Sequence, residues 1–307
     1  MSTILLPIVG VLVLVAIAEG VIWSLRRGDY DWRAFGVSMF DLAGTILMRF
    51  VAPVGLAAPL LAFAYEHRIL DFELDRLWQF PLLFLGQEFC YYWFHRASHR
   101  IRWFWATHAV HHSPEQISFA AAFRLGITSR VAGATVFYVP LAFLGFDPAV
   151  VLFSLTLNLL YQFWIHSETI PRLGPLEWVL NTPSHHRVHH ARNLNYLDAN
   201  YGGVLIIFDR LFGTFVPERD DEPCDFGLVT PLRSYNPFYV ELHGWIGLIK
   251  DLRKARSPKA VVGYLFAAPG WAPDGGATTE DLRGQAGTVV AAGVSALPKP
   301  LATAADA

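Results

Sequence analysis

The sequence predicts an all-α integral membrane protein of about four transmembrane helices, with a cytoplasmic helical cap that carries a histidine cluster. Three observations predict it. Charged residues are 16% of the 307, and the set AVILMFWYC makes up 53%, whereas soluble domains carry about 25% charged residues. The apolar residues come in stretches able to cross a hydrocarbon core of about 30 Å. Ten of the twelve histidines lie between residues 95 and 190, about a third of the chain. A net charge of −2 removes the electrostatic case for binding nucleic acid. Two cysteines, Cys90 and Cys224, exclude a disulfide scaffold and a cysteine-based zinc site.

The first stretch, Ile4 to Leu25, has only Glu19 and Ser24 as strongly polar residues, and Arg26 and Arg27 follow it. A cleavable signal peptide has the opposite charge layout, so this is an anchor that stays. Arg26, Arg27 and Arg33 then belong in the cytoplasm. The second, Phe35 to Ala64, is interrupted by Asp41, Arg49, Pro53 and Pro59 and is kinked or partly buried in protein. Pairing of Asp41 with Arg49 would satisfy both charges. Leu77 to Phe94 leads into the basic, histidine-rich region. Val131 to Leu144 and Ala149 to Ile165, separated by Gly145-Phe146-Asp147-Pro148, read as a helical hairpin closed by a turn. The domains follow: 1–76 membrane helices, 77–217 catalytic region, 218–269 cytoplasmic segment, and a disordered tail over 270–307.

The histidines are patterned. His95 and His99 are four apart; His108, His111 and His112 are at i, i+3 and i+4; His186, His189 and His190 repeat that spacing. Residues three and four apart share a helix face, so each cluster is expected to point two or three imidazoles in one direction. His185 stands beside the third cluster, and His166 ends the returning hairpin limb, four residues after Gln162. Thr182-Pro183 is a helix start, and Ser113-Pro114 a helix stop. Eight to ten imidazoles are too many for one zinc and suit two metals with four or five nitrogens each; imidazole ligation fits iron used for oxygen activation. The isolated His67 and His243 are left out. Trp93, Phe104, Trp105, Phe119 and Trp164 are candidates to line a lipid slot. A membrane metal transporter would need ligands along a path through the spans, whereas these gather at one end.

HRASH (95–99), HAVHH (108–112) and HRVHH (186–190) resemble the three histidine boxes of the fatty acid hydroxylase/sterol desaturase superfamily, which are integral-membrane enzymes with a non-haem di-iron centre. The likeness runs from about Gly86 to Phe215. Within it, YYWFHRASH, WATHAVHHS and NTPSHHRVHHARN are most similar to the alkylglycerol monooxygenase branch and its bacterial relatives. The resemblance implies two iron ions held by His95, His99, His108, His111, His112, His166, His186, His189 and His190, all but His166 forming the catalytic set. Gln162, His185, Glu88, Asp198 and Asn200 are candidates to hold those imidazoles. It further implies O2 as co-substrate and a membrane lipid as substrate. An electron-donor protein or external reductant is needed, which is tetrahydrobiopterin in that branch. The expected reaction is hydroxylation of a lipid C–H bond; desaturation on the same site and non-catalytic metal binding are the alternatives. The expected location is the inner membrane of a bacterium, with the site on the cytoplasmic face.

Overall fold

The computed structural model describes residues 2–52, 55 and 57–284. The expected interruption at Pro53 and the part of the tail from 285 lie outside the described residues. The chain opens with α1 (Ser2–Arg26), α2 (Trp32–Val51), α3 (Ala58–Glu66), α4 (Gln79–Arg100) and α5 (Arg102–His111). Three 3-10 turns follow at Phe119–Phe123, Ile127–Arg130 and Ala134–Tyr138, leading into α6 (Val139–Leu144) and α7 (Pro148–Ile165). After a 3-10 turn at Gly174–Trp178 come α8 (Pro183–His190), α9 (Ile207–Phe212), α10 (Pro237–Leu252) and α11 (Pro258–Phe266). Among the described residues there is no strand, only isolated bridges.

Three helices are long and apolar enough to cross a membrane: Leu6–Arg27, α2 and α7. A fourth crossing is available if the bent pair Phe119–Arg130 and Ala134–Leu144, turned by 93°, counts as one span. Leu6, Val11, Leu14, Val21, Ile22 and Leu25 stand exposed along α1; so much apolar surface is stable in lipid and not in water. The chain is therefore built as a multi-pass membrane protein. α4, expected to span as Leu77 to Phe94, is about 33 Å long but less apolar. It buries Gln87, Glu88, His95 and His99 and packs against α5, α6, α7 and α9.

The outgoing limb of the expected hairpin is not a helix over Val131 to Leu144. Gly126 and Gly133, at φ +75° and +81°, turn the backbone into the left-handed region, and α6 is left with six residues. Such irregular backbone needs partners for its N–H groups when water is excluded. Acidic side chains from distant parts of the chain supply them. Glu168 accepts from the N–H of Ile117 at 2.7 Å and Glu19 of α1 from Phe119 at 2.7 Å. Asp41 of α2 accepts from Leu125 and Gly126 at 3.1 and 2.9 Å, and Glu241 of α10 from Ile127 at 3.0 Å. Asp41 thus serves this loop and not Arg49, as its two oxygens already face two N–H donors.

α10 lies close along α5, where Gly244 sits so near Ala106 that a Cβ would come within 2.3 Å of its carbonyl oxygen. Residues 270–284, placed by the sequence in a disordered tail, instead fold back onto the polar end of α4. There Glu280 meets Arg100 at 2.8 Å and Thr279 donates to Asp198.

Candidate metal centre

Nine histidines converge, and they divide into two groups able to hold a metal ion: His95, His99, His108, His112 and His189; and His111, His166, His186 and His190. Within each group the ligating atoms lie within 4.8 Å of one another. Helix geometry explains the division. Residues four apart differ by about 40° around the axis, so His95/His99, His108/His112 and His186/His190 each serve a single group. Adjacent residues differ by about 100°, so His111 and His189 turn toward the other group. Two imidazoles of the second box and two of the third thus share a direction, within the two or three expected, and the remaining one of each turns to the other group. The two groups touch where the rings of His112 and His190 stack at 4.4 Å and those of His186 and His189 stack at 5.3 Å.

α8 carries four histidines in eight residues, all buried. Pro183 opens it as expected, while the Thr182 hydroxyl donates to Glu177 at 3.0 Å instead of capping the helix. α5 ends at His111 before Ser113-Pro114.

The protons on these rings can be placed. A carbonyl oxygen only accepts, so an imidazole nitrogen bonded to one carries its proton there. Nδ1 of His95 donates to the Tyr201 carbonyl at 2.8 Å, that of His189 to Ala199 at 2.9 Å, that of His111 to Arg124 at 3.0 Å and that of His166 to Gln162 at 2.7 Å. Their Nε2 atoms are then bare lone pairs. Yet Nε2 of His111 and Nε2 of His166 face each other at 3.3 Å. Two lone pairs at that distance cannot hydrogen-bond and repel unless a cation lies between or beside them. In the five-histidine group, Nε2 of His99, His112 and His189 is buried without a partner. The donor set therefore fits metal ions.

Burial first, and neighbouring imidazoles second, hold His108, His112, His186 and His190 well below the ordinary histidine range. Burial lowers His166 to about 4. Neutral imidazole is the form that binds a metal. No carboxylate belongs to either group.

Of the five residues expected to hold the imidazoles, one side chain faces one. Asp198 Oδ1 lies 3.5 Å from Nδ1 of His99. Burial alone would raise Asp198, but His99, Thr279 and Arg100 bring it down to about 2. Gln162 serves His166 through its backbone carbonyl; its side chain accepts from the Tyr91 hydroxyl at 2.9 Å and donates to Asn158. Glu88 bonds no histidine: it accepts from the Val204 and Leu205 N–H groups at 2.8 Å each and from the Asn158 amide. Asn200 ties the His185 carbonyl to Val216. His185 is in neither group; burial holds it near 4, and it lines a surface cavity of about 240 Å³ with Arg172, Glu177, Arg210 and Glu218. Of the five lipid-slot candidates, Trp105 packs on the centre, its ring 5.3 Å from His99 and 5.7 Å from His112. Arg124 was not anticipated. Its guanidinium bonds Ser38 and Ser113 and the Ala34 carbonyl, fixing the carbonyl that orients His111.

Comparison with known proteins places these histidines in a family. Residues 80–214 match the fatty acid hydroxylase family. The match contains all three boxes and His166. The chain is 43% identical over 208 residues to the alkylglycerol monooxygenase of Xenopus tropicalis, covering 68% of this chain and 46% of that protein. It is 42% identical to the human alkylglycerol monooxygenase, with the same coverage. An ornithine lipid hydroxylase of Rhizobium tropici is 28% identical over 218 residues, 67% of this chain and 63% of that protein. The chain thus aligns with less than half the length of the alkylglycerol monooxygenases. No solved structure matches it. Residues 80–214 thus form a fatty acid hydroxylase region, and the relatives it shares them with are a monooxygenase and a lipid hydroxylase by name.

Proposed function

We propose that the two histidine groups hold two iron ions and that the protein is an O2-dependent hydroxylase of a membrane lipid. The carrying observation is the pair His111 and His166, whose Nε2 lone pairs meet at 3.3 Å with both protons committed to carbonyls on the far side of the rings. When bound, the irons supply the O2 reduction and C–H cleavage that no protein side chain can perform. His95, His99, His108, His112 and His189 would hold one iron; His111, His166, His186 and His190 would hold the other. All nine ligands would be imidazole nitrogens, with no carboxylate among them. Burial of eight of these imidazoles (all but His108) keeps bulk water from them, and the carbonyl bonds keep the rings of His95, His189, His111 and His166 from rotating away.

The substrate proposal is a lipid with a long alkyl or acyl chain. Its support is the apolar exterior of α1, α2 and α7 beside the centre, and the relatives, which act on alkylglycerols and on ornithine lipid by name. An external reductant is required, a reduced pterin or an electron-donor protein. Arg26, Arg27, Arg96, Arg100, Arg187 and Arg192 support a cytoplasmic position for the histidine end, by the positive-inside rule.

The test is purification in detergent with metal analysis, followed by supply of lipid, O2 and reductant. The expected result is close to two irons per chain and a lipid product heavier by one oxygen. A product lighter by two hydrogens would make the enzyme a desaturase. Tightly held zinc with no O2 consumption would overturn the proposal.

A further inference from the structure

One turn of backbone, residues 197–201, orients three of the five imidazoles in the larger group. Asp198 Oδ1 faces Nδ1 of His99 at 3.5 Å, the Ala199 carbonyl takes the proton of His189 at 2.9 Å, and the Tyr201 carbonyl takes that of His95 at 2.8 Å. The turn is strained, because Asp198 and Asn200 sit at φ +55° and +57°, a region that costs a side-chain-bearing residue energy and persists only when its surroundings impose it. On its inner side Asp209 accepts from the N–H groups of Tyr201 and Gly202 at 2.7 Å each.

Its outer side is held by the chain near residue 280, beyond the family match that ends at residue 214. Thr279 donates its hydroxyl to Asp198 Oδ2, and Arg283 donates to the Leu197 carbonyl at 3.2 Å. Glu280 accepts from Arg100 at 2.8 Å, and Arg100 donates to Asp198 Oδ2 at 3.1 Å. The segment's own fold is locally encoded. The Thr278 hydroxyl and N–H bond the Asp281 carboxylate, which sits where a capping box places its acid. Among the described residues the four-histidine group has no such link: the carbonyls of Arg124 and Gln162 orient His111 and His166.

We infer that residues 278–284 are a latch that positions His99, His189 and His95 through the 197–201 turn, and so controls metal retention in the five-histidine group alone. This rests on the reading that both groups hold metal. Thr279, Glu280 and Arg283 touch no imidazole; they are positioning residues acting through Asp198, Arg100 and Leu197.

The test combines Thr279→Val, Glu280→Gln and Arg283→Gln in the full chain. The protein is loaded with ferrous iron without O2 and challenged with a chelator, and release is followed as iron per chain against time. Residues that hold a ligand's outer nitrogen change metal affinity by about 10–100-fold; one step further out, about tenfold is expected. One of the two irons should leave the variant about tenfold faster, with the other leaving at the unmodified rate. Thr279→Ser, which keeps the hydroxyl, should match the unmodified chain. Unchanged release of both irons overturns the latch, and so does equal acceleration of both, which would signify general loosening. Failure of the unmodified chain to take up iron overturns the metal reading and the latch with it.

Discussion

Replacing Glu88 by Ala and by Gln separates the loss of an acceptor from the loss of a charge. Glu88 is 1% exposed and accepts three bonds, from the N–H groups of Val204 and Leu205 and from the Asn158 amide. Alanine would leave three buried donors unmatched at about 1–3 kcal/mol each, so about 3–9 kcal/mol in all. Against a total stability of about 5–15 kcal/mol, that variant is expected to accumulate poorly or unfold early. Glutamine can keep its oxygen on the two backbone N–H groups, but its own amide then faces the Asn158 amide, donor against donor, costing about 1–3 kcal/mol. At about 2–4 °C per kcal/mol for a chain of this size, melting in detergent should fall by about 5 °C. The carboxylate also sets a direction: Asn158 donates to Glu88 and accepts from Gln162, and Gln162 accepts from Tyr91. Adding Asn158→Asp to Glu88→Gln replaces the opposing donor with an acceptor, and should recover at least half of the loss. Equal melting temperatures for the Ala and Gln variants would refute the acceptor role. A further fall on adding Asn158→Asp would refute the direction.

Gly244→Ala places a methyl 2.3 Å from the Ala106 carbonyl oxygen; α5 and α10 must part, at a cost of about 1–3 kcal/mol. Because α5 carries His108 and His111, thermal melting and iron content should fall together, and loss of neither would show that the helices yield freely. Stripping the metals leaves the His111 and His166 lone pairs opposed at 3.3 Å, so chelated protein should melt lower than loaded protein; equal melting would remove the metal from the stability of the fold. In the stripped protein His166 and His185 have folded values near 4, below the ordinary 6.5. The unfolded chain therefore binds protons first as the pH falls. Stability is full above about pH 6.5 and declines from there through pH 4, by on the order of 3 kcal/mol for each group. A melting temperature that stays flat or rises between pH 7.5 and 5 would contradict that sign.

The centre was legible because ligand chemistry is written in residue type and spacing. Eight imidazoles at helical intervals cannot be mistaken for polar surface when the rest of the chain has so little of it. Their division between two groups was also present, in the 100° between His111 and His112 and between His189 and His190, though face-sharing at i+3 concealed it. What holds the rings was not legible. Four of the nine Nδ1 atoms rest on backbone carbonyls, of Tyr201, Ala199, Arg124 and Gln162, and every residue has a carbonyl, so no side chain marks the partner. The irregular loop after the second box was hidden for a different reason. Its apolar composition reads as helix, and the conditions that permit a non-helical path lie elsewhere: Glu19, Asp41, Glu168 and Glu241 each look like an isolated acid in sequence. Asp41 was read against Arg49 because they share one stretch of chain; its real partners lie 84 and 85 residues away. Two of these acids serve the centre as well as the fold. By holding the backbone at 125–127, Asp41 and Glu241 fix the neighbouring Arg124 carbonyl, and that carbonyl places the His111 proton on Nδ1 and leaves its Nε2 for a metal.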